Sequence, residues 1–346
     1  MNPKVLLIYT GGTIGMAQNP KTGSLYPFDF NQLLDTLPSL RKLNVDIGAY
    51  SFDEIIDSSD MNPHYWLNIA QVIESHYQDY DGFVVLHGTD TMSYTASALS
   101  FMFGNLSKPI LLTGSQLPIG VLRSDGKDNL INSIEIAAHK ENGRSLVPEV
   151  CICFENSLYR GNRTTKLNAE NFNAFYSGNH PPLAEVGIHV KYNRHAILPL
   201  PTEQQLKVYS QLDDRVGILK IHPGLSQPLV ENILQTKHLQ GLVLETYGSG
   251  NAPSAQWLKE ALSYATRQGM IILNVTQCKA GGVEMGKYAA SLELLEAGVT
   301  SGLDMTTESA ICKMMVLLGT YPSDKEQVKT LLQTPLCGEM TIMNNE

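Results

Sequence analysis

The chain is poor in charge and in cysteine, and each shortage excludes something. Only 17% of its 346 residues are charged, with a formal net charge of -9, so it lacks the clustered Lys and Arg that a nucleic-acid surface needs. No charge run, internal repeat or low-complexity tract is visible, which leaves disordered-tail and tethering roles without a sequence to carry them. No apolar stretch approaches the roughly 20 residues that span a bilayer. The apolar run within residues 1–9 is too short for a signal segment and is followed by no small-residue cleavage site, so a cytoplasmic location is expected. The five cysteines are an odd, scattered set. Cys151 and Cys153 share one face of an expected strand, Cys278, Cys312 and Cys337 lie far apart, and reduced thiols are expected. The nine histidines do not cluster and zinc-type spacing is absent, so neither a metal nor another cofactor is expected. What is abundant is apolar residue, 43% of the chain, enough for a sizeable core at a length where one core tends to split into two.

Residues 5–15 read Val-Leu-Leu-Ile-Tyr-Thr-Gly-Gly-Thr-Ile-Gly. The unbroken apolar run predicts a buried strand, and the two glycines predict a sharp turn that carries Thr13. In a parallel α/β sheet ligands bind at the carboxyl ends of strands, which makes Thr13 a candidate for chemistry. The same pattern also serves as a plain Gly-rich turn with a capping Thr.

The design recurs. Residues 82–87 form a second apolar strand that ends in Gly88-Thr89-Asp90-Thr91, with a helix over 92–103. Residues 109–116, Pro-Ile-Leu-Leu-Thr-Gly-Ser-Gln, give a third, followed by a helix over 129–140. A short strand from Asp53 runs into Ser58, Ser59 and Asp60, and Asn62-Pro63 starts a helix through Tyr77, with the Asn side chain as cap. Ser58 and Ser59 either terminate the strand or hold a carboxylate. Residues 150–155 form a fourth strand that leads to Arg160-Gly-Asn-Arg-Thr-Thr-Lys and delivers Lys166 near the same sheet end. Tyr26 lies in a Gly- and Pro-punctuated segment, 18–28, that can act as a lid or pack as an ordinary loop aromatic.

Alternating β and α units predict an α/β fold of two domains. The larger, doubly wound and mostly parallel, spans 1–190; a linker around Pro199 and Pro201 spans 191–212; a smaller parallel-sheet domain spans 213–346. The second has strands over 216–221, 241–245 and 270–275 and helices over 288–296, 306–318 and 325–333. Its loop Tyr247-Gly-Ser-Gly-Asn-Ala-Pro puts Asn251 after a strand.

A hydroxyl is a poor nucleophile unless a base takes its proton, and a Lys with a lowered pKa can serve. Thr13, Thr89, Asp90 and Lys166 therefore suit acyl transfer, with amides freed by Gly11, Gly12 and Gly88 as oxyanion donors. Those amides also suit a phosphate, so a nucleotide or flavin site competes, although the dinucleotide Gly spacing and the P-loop Lys are missing. A Ser-His-Asp arrangement is weaker, since His87 sits on a strand and no Gly-x-Ser-x-Gly elbow occurs.

Tyr9-Thr-Gly-Gly-Thr-Ile-Gly-Met together with Val85-Leu-His-Gly-Thr-Asp-Thr-Met resembles the two hallmarks of bacterial-type L-asparaginases, and the segments at 57–61, 160–166 and 247–253 follow in the family's order. The absent signal segment resembles the cytoplasmic type I branch. The resemblance implies hydrolysis of L-asparagine to L-aspartate and ammonia, with Thr13 as the nucleophile of a β-aspartyl ester and Thr89, Asp90 and Lys166 as a second catalytic group. It implies that Asp90 holds the substrate ammonium, that Ser58 and Ser59 hold its carboxylate, and that Tyr26 matches the lid tyrosine. A homodimer or homotetramer is implied as well, with Asn251 contributed by a partner subunit. Some type I members carry a regulatory asparagine site lined by the residue before the catalytic Lys and by a Cys. Thr165 and Cys278 stand there, but Glu245 stands where a regulated member should carry a cation, and a carboxylate effector would be repelled. Competing readings are a glutaminase-asparaginase, the ammonia-supplying subunit of a tRNA-dependent amidotransferase, whose usual extra N-terminal domain has no room before a first strand at about residue 4, and a non-catalytic amino-acid sensor.

Overall fold

In the computed structural model, which describes residues 2–18, 25–27, 37–119, 121–203, 205–286 and 289–342, the opening apolar run is strand β1 (Lys4–Gly11). It is buried from Val5 onward because both of its faces are covered. Val5, Leu7 and Tyr9 join one core with Leu130 and Ile134, while Leu6 and Ile8 point to the opposite face, as strand alternation requires. Around β1 lie β2 (Asp46–Ile56), β3 (Gly82–Leu86), β4 (Ile110–Thr113), β5 (Val150–Phe154), β6 (Ser157–Arg160), β7 (Ala184–Val186) and β8 (Val190–Tyr192). The spatial order is β8-β7-β6-β5-β4-β3-β1-β2. Strands β1 to β5 pair in parallel, and β6 to β8 add an antiparallel flank. The expected mostly parallel sheet of the larger α/β domain is thus present.

The connecting helices α1 (Pro63–His76), α2 (Met92–Met102) and α3 (Gly126–Ala138) form where sequence periodicity placed them. Asn62 caps α1 by accepting the His64 amide at 3.0 Å, and Pro63 opens the helix. Strand β2 is 11 residues long, where only its last residues were legible as a strand. Its exposure alternates because it lies at the sheet edge with one face open, and its polar residues hide the pattern.

Contacts divide the chain into Met1–Val208 and Tyr209–Glu346. The second unit has four parallel strands in chain order, β9 (Val216–Lys220), β10 (Gly241–Thr246), β11 (Ile271–Thr276) and β12 (Thr300–Ser301). Five described helices accompany them: α4 (Gln227–Leu234), α5 (Gln256–Arg267), α6 (Ala289–Glu296), α7 (Thr307–Thr320) and α8 (Lys325–Leu332). On α7, Lys313 forms a fully buried ion pair with Glu339 at 2.5 Å and donates to the Thr334 carbonyl at 2.7 Å. The Leu336 and Cys337 amides complete the Glu339 carboxylate, so the pair fastens the C-terminal segment to α7.

Candidate active site

The order β2-β1-β3 is the place where the sheet's winding reverses, and the carboxyl ends of strands at such a point open a crevice for ligands. Three turns meet there almost backbone to backbone. A Cβ on Gly11 would lie 2.0 Å from the Ile56 carbonyl oxygen, one on Gly12 would lie 2.5 Å from the Gly88 nitrogen, and one on Gly88 would lie 2.4 Å from Ser58 Oγ. Gly11 and Gly12 also take φ of 142° and 88°, values that favour glycine. The glycines therefore bring Thr13, Ser58 and Thr89 onto adjacent turns.

Thr13 begins a short 3-10 turn, Thr13–Gly15. The turn rests on Tyr9, whose buried hydroxyl donates to the Gly15 carbonyl at 3.0 Å. Burial pushes the Tyr9 phenol up to about 12, so it stays a neutral donor that fixes the turn. Gly15 is packed against the phenol end of the Tyr9 ring, where a Cβ would approach to 2.2 Å.

Lys166 comes from the strand-like pair Thr165–Lys166, held by Phe175–Tyr176. Its ammonium donates to Thr89 Oγ1 at 2.8 Å and to Asp90 Oδ1 at 2.6 Å. The Lys166 side chain is 17% exposed and that of Asp90 65%, which leaves the carboxylate open to a cationic ligand on its outer side. Thr89 and Asp90 lie just before the start of α2, whose N-terminal dipole favours an anion nearby. Gln116, three residues past the end of β4, also reaches Thr89: Thr89 Oγ1 donates to Gln116 Oε1 at 3.3 Å.

His87 is fully buried beneath this cluster. Its Nδ1 faces the Gly88 carbonyl at 2.6 Å, so that nitrogen carries the proton, and its Nε2 accepts from Thr95 Oγ1 at 2.9 Å. Trp66 Nε1 donates to the same Thr95 oxygen at 3.1 Å. Desolvation outweighs the bond to Gly88 and lowers the imidazole to about 4. His87 is a neutral strut under the Gly88 turn, with no free nitrogen to act as a base.

Ser58 is buried against Gly88, and its carbonyl accepts the Thr91 hydroxyl at 2.6 Å. Ser59 is exposed and its hydroxyl turns onto Asp57 Oδ1 at 2.9 Å. The Ser59 amide and hydroxyl hold the Asp57 carboxyl below its usual range. Tyr26 is described by its strand backbone alone, paired with Ala17; its side chain and residues 19–24 and 28 of the expected lid lie outside the described residues. Thr165 is buried in the first unit. In the second unit, Asn251 closes a turn with Tyr247 through bonds of 2.9 Å, and Cys278 is exposed just past β11. Glu245 accepts from Thr307 Oγ1 at 2.5 Å and lies 3.7 Å from Lys220. Among the described residues no group of three or more His, Cys, Asp or Glu could hold a metal ion.

Sequence reasoning missed Tyr9, Thr95 and Gln116 as parts of this site. Gln116 had a signal. Leu86 and Thr113 are opposite one another in the parallel β3–β4 pair, so Thr89 and Gln116, each three residues on, are brought side by side.

A crevice at the switch point, a threonine on a double-glycine turn and a threonine-lysine-aspartate cluster define the class of protein. The Asparaginase, N-terminal model matches residues 4–198 and the Glutaminase/Asparaginase C-terminal domain model matches residues 215–332. The chain belongs to the asparaginase family. It is 42% identical over 339 residues to L-asparaginase 1 of Escherichia coli K12, covering 97% of this chain and 98% of that one. The mouse 60 kDa lysophospholipase is also 42% identical, over 98% of this chain and 63% of its own length. The crystal structure of L-asparaginase I from Vibrio cholerae superposes with a TM-score of 0.89 at 41% identity, covering 99% of this chain and 100% of that one.

Proposed function

We propose that this protein hydrolyses L-asparagine to L-aspartate and ammonia with Thr13 as nucleophile. The observation that carries the reading is the Lys166-Thr89-Asp90 hydrogen-bonded cluster on the turn that packs against the Thr13 turn through Gly12 and Gly88. Thr13 Oγ attacks the side-chain carboxamide carbon as its proton passes through the Thr89-Lys166 pair to the departing nitrogen, which leaves as ammonia. Water then attacks the β-aspartyl ester, and its proton returns to Thr13. Lys166 must be neutral to accept a proton, since an ammonium has donors only. Asp90 takes the substrate ammonium, Ser58 and Ser59 its carboxylate, and Tyr26 closes over the site. For Ser59 to serve, its hydroxyl has to leave Asp57.

The protein is further proposed to work in the cytoplasm, where its five free thiols stay reduced, and to self-associate so that Asn251 of a second copy completes the site. No described helix is long and apolar enough to cross a membrane. Glu245, a carboxylate bonded to Thr307, favours a simple hyperbolic response over activation by asparagine at Thr165 and Cys278. The test of function is ammonia release from asparagine and from glutamine, read by a coupled assay. Turnover of asparagine supports the reading, and no turnover of either amide sinks it. Tight asparagine binding without ammonia would make the protein a sensor.

A further inference from the structure

The turn that carries Asn251 is held at every one of its carbonyls. The Tyr247 carbonyl accepts the Gly250 and Asn251 amides at 3.0 and 2.9 Å, and the Tyr247 amide donates to the Asn251 carbonyl at 2.9 Å. The Ser249 carbonyl accepts the Glu284 amide at 3.0 Å. Side chains of β11 hold the other two. Thr276 Oγ1 donates to the Gly248 carbonyl at 2.6 Å, and Asn274 Nδ2 donates to the Gly250 carbonyl at 3.4 Å. Two residues apart on a strand, Asn274 and Thr276 share one face of it. Asn274 is fully buried, and its Oδ1 accepts Thr246 Oγ1 at 2.7 Å, which fixes the orientation of the amide. The single proton of the Thr276 hydroxyl goes to Gly248, and its oxygen accepts the Cys278 amide at 3.1 Å.

Gly248-Ser249-Gly250 is the part of this turn with the most backbone freedom, and its two glycines take φ of 48° and 108°. The bonds from β11 therefore decide which conformation it keeps. The Asn251 carboxamide, by contrast, is half-buried and has no hydrogen-bond partner among the described residues. We infer that Thr276, with Asn274 beside it, is a positioning residue for the reaction: it fixes the turn so that the Asn251 carboxamide is presented ready-made to the substrate held by a second copy of the chain. The inference rests on the reading that Asn251 completes a partner's site. Without the Thr276 hydroxyl the Gly248 carbonyl is released and the turn takes up other conformations. The carboxamide is then in place for only part of the time, and substrate binding weakens by that fraction.

Thr276→Val keeps the shape of the side chain, suits a strand and removes the hydroxyl alone; Thr276→Ser keeps the hydroxyl. Ammonia release should show Thr276→Val with KM for asparagine raised about fivefold, the effect of one ordinary hydrogen bond, and kcat within about twofold. Thr276→Ser should stay within about twofold of the parent KM. In an Asn251→Ala background, Thr276→Val should add nothing further. Hybrids of Thr13→Ala and Thr276→Val copies, co-expressed with different tags and purified through both, show on which copy the residue acts. Their competent mixed sites join Thr13 of one copy to the Asn251 turn of the Thr13→Ala copy, whose Thr276 is intact, so a component with the parent KM should return. A hybrid with only the raised KM overturns the inference, because Thr276 would then serve its own copy's site. So does a parent KM in Thr276→Val, an equal rise in Thr276→Ser, or an additive rise in the double variant. A parent KM in Asn251→Ala overturns the assignment of Asn251 itself, a result distinct from a failure at Thr276.

Discussion

Replacing Gly12 by alanine tests the geometry of the site more sharply than removing any catalytic group. The added Cβ would stand 2.5 Å from the Gly88 nitrogen, 2.6 Å from its Cα and 2.8 Å from the His87 carbonyl carbon. All three are backbone atoms, and His87 is held from below by Thr95 and Trp66, so no side chain can swing aside. Ordinary contact requires the Thr13 turn and the Thr89 turn to separate by roughly 1 Å, a displacement that can cost about 100-fold in rate when it spoils an attack geometry. The cost in stability is smaller: φ 88° with ψ 168°, a region essentially restricted to glycine, costs alanine roughly 1 to 3 kcal/mol, a fall in Tm of several degrees for a domain of this size. Ammonia release and a thermal melt on the same sample check both. A variant that turns over normally, or one whose activity falls only in proportion to its folded fraction, would refute the claim that this contact sets the distance between the two threonines.

Thr13→Ala should remain folded and lose about three orders of magnitude in kcat; near-normal activity would move the nucleophile to Thr89. Tyr9→Phe removes the bond that supports the Thr13 turn and should lower kcat several-fold, with a loss of about 1 kcal/mol in a urea melt; unchanged kcat would show that Tyr9 does not position the turn. His87 has a folded pKa of about 4 against an ordinary 6.5, so between those values only the unfolded chain takes up the proton. Stability should then fall by ~3 kcal/mol as pH drops through that window, and urea titrations of a His87→Gln variant should lack this part of the slope. Lys313→Met leaves Glu339 buried without its cation, which should destabilise the second unit by about 3 to 5 kcal/mol; an unchanged melt would show the pair to be dispensable.

Much of the fold was legible because β1, β3, β4 and β5 are covered on both faces, and burial on both faces writes itself as an apolar run. Strand β2, open on one face, does not write itself that way, and most of its length was invisible. The turn residues Thr13, Thr89 and Lys166 were legible as candidates, since glycine after an apolar strand marks a place where backbone must pass close to backbone. Which strand lies beside which is a property of topology. That is why Gln116, brought to Thr89 by the pairing of Leu86 with Thr113, and Tyr9, which reaches six residues along the chain to support the Thr13 turn, came from the structure. The outward turn of Ser59 onto Asp57 is likewise a local choice between two acceptors that composition does not record.

The central claim is that Thr13 carries the acyl group. Rapid acid quenching of the enzyme during asparagine turnover, followed by peptide mass spectrometry, reads this directly. The account predicts an aspartyl ester on Thr13 in the parent protein and none in Thr13→Ala. An ester on Thr89, or turnover in Thr13→Ala at the parent rate, would contradict it.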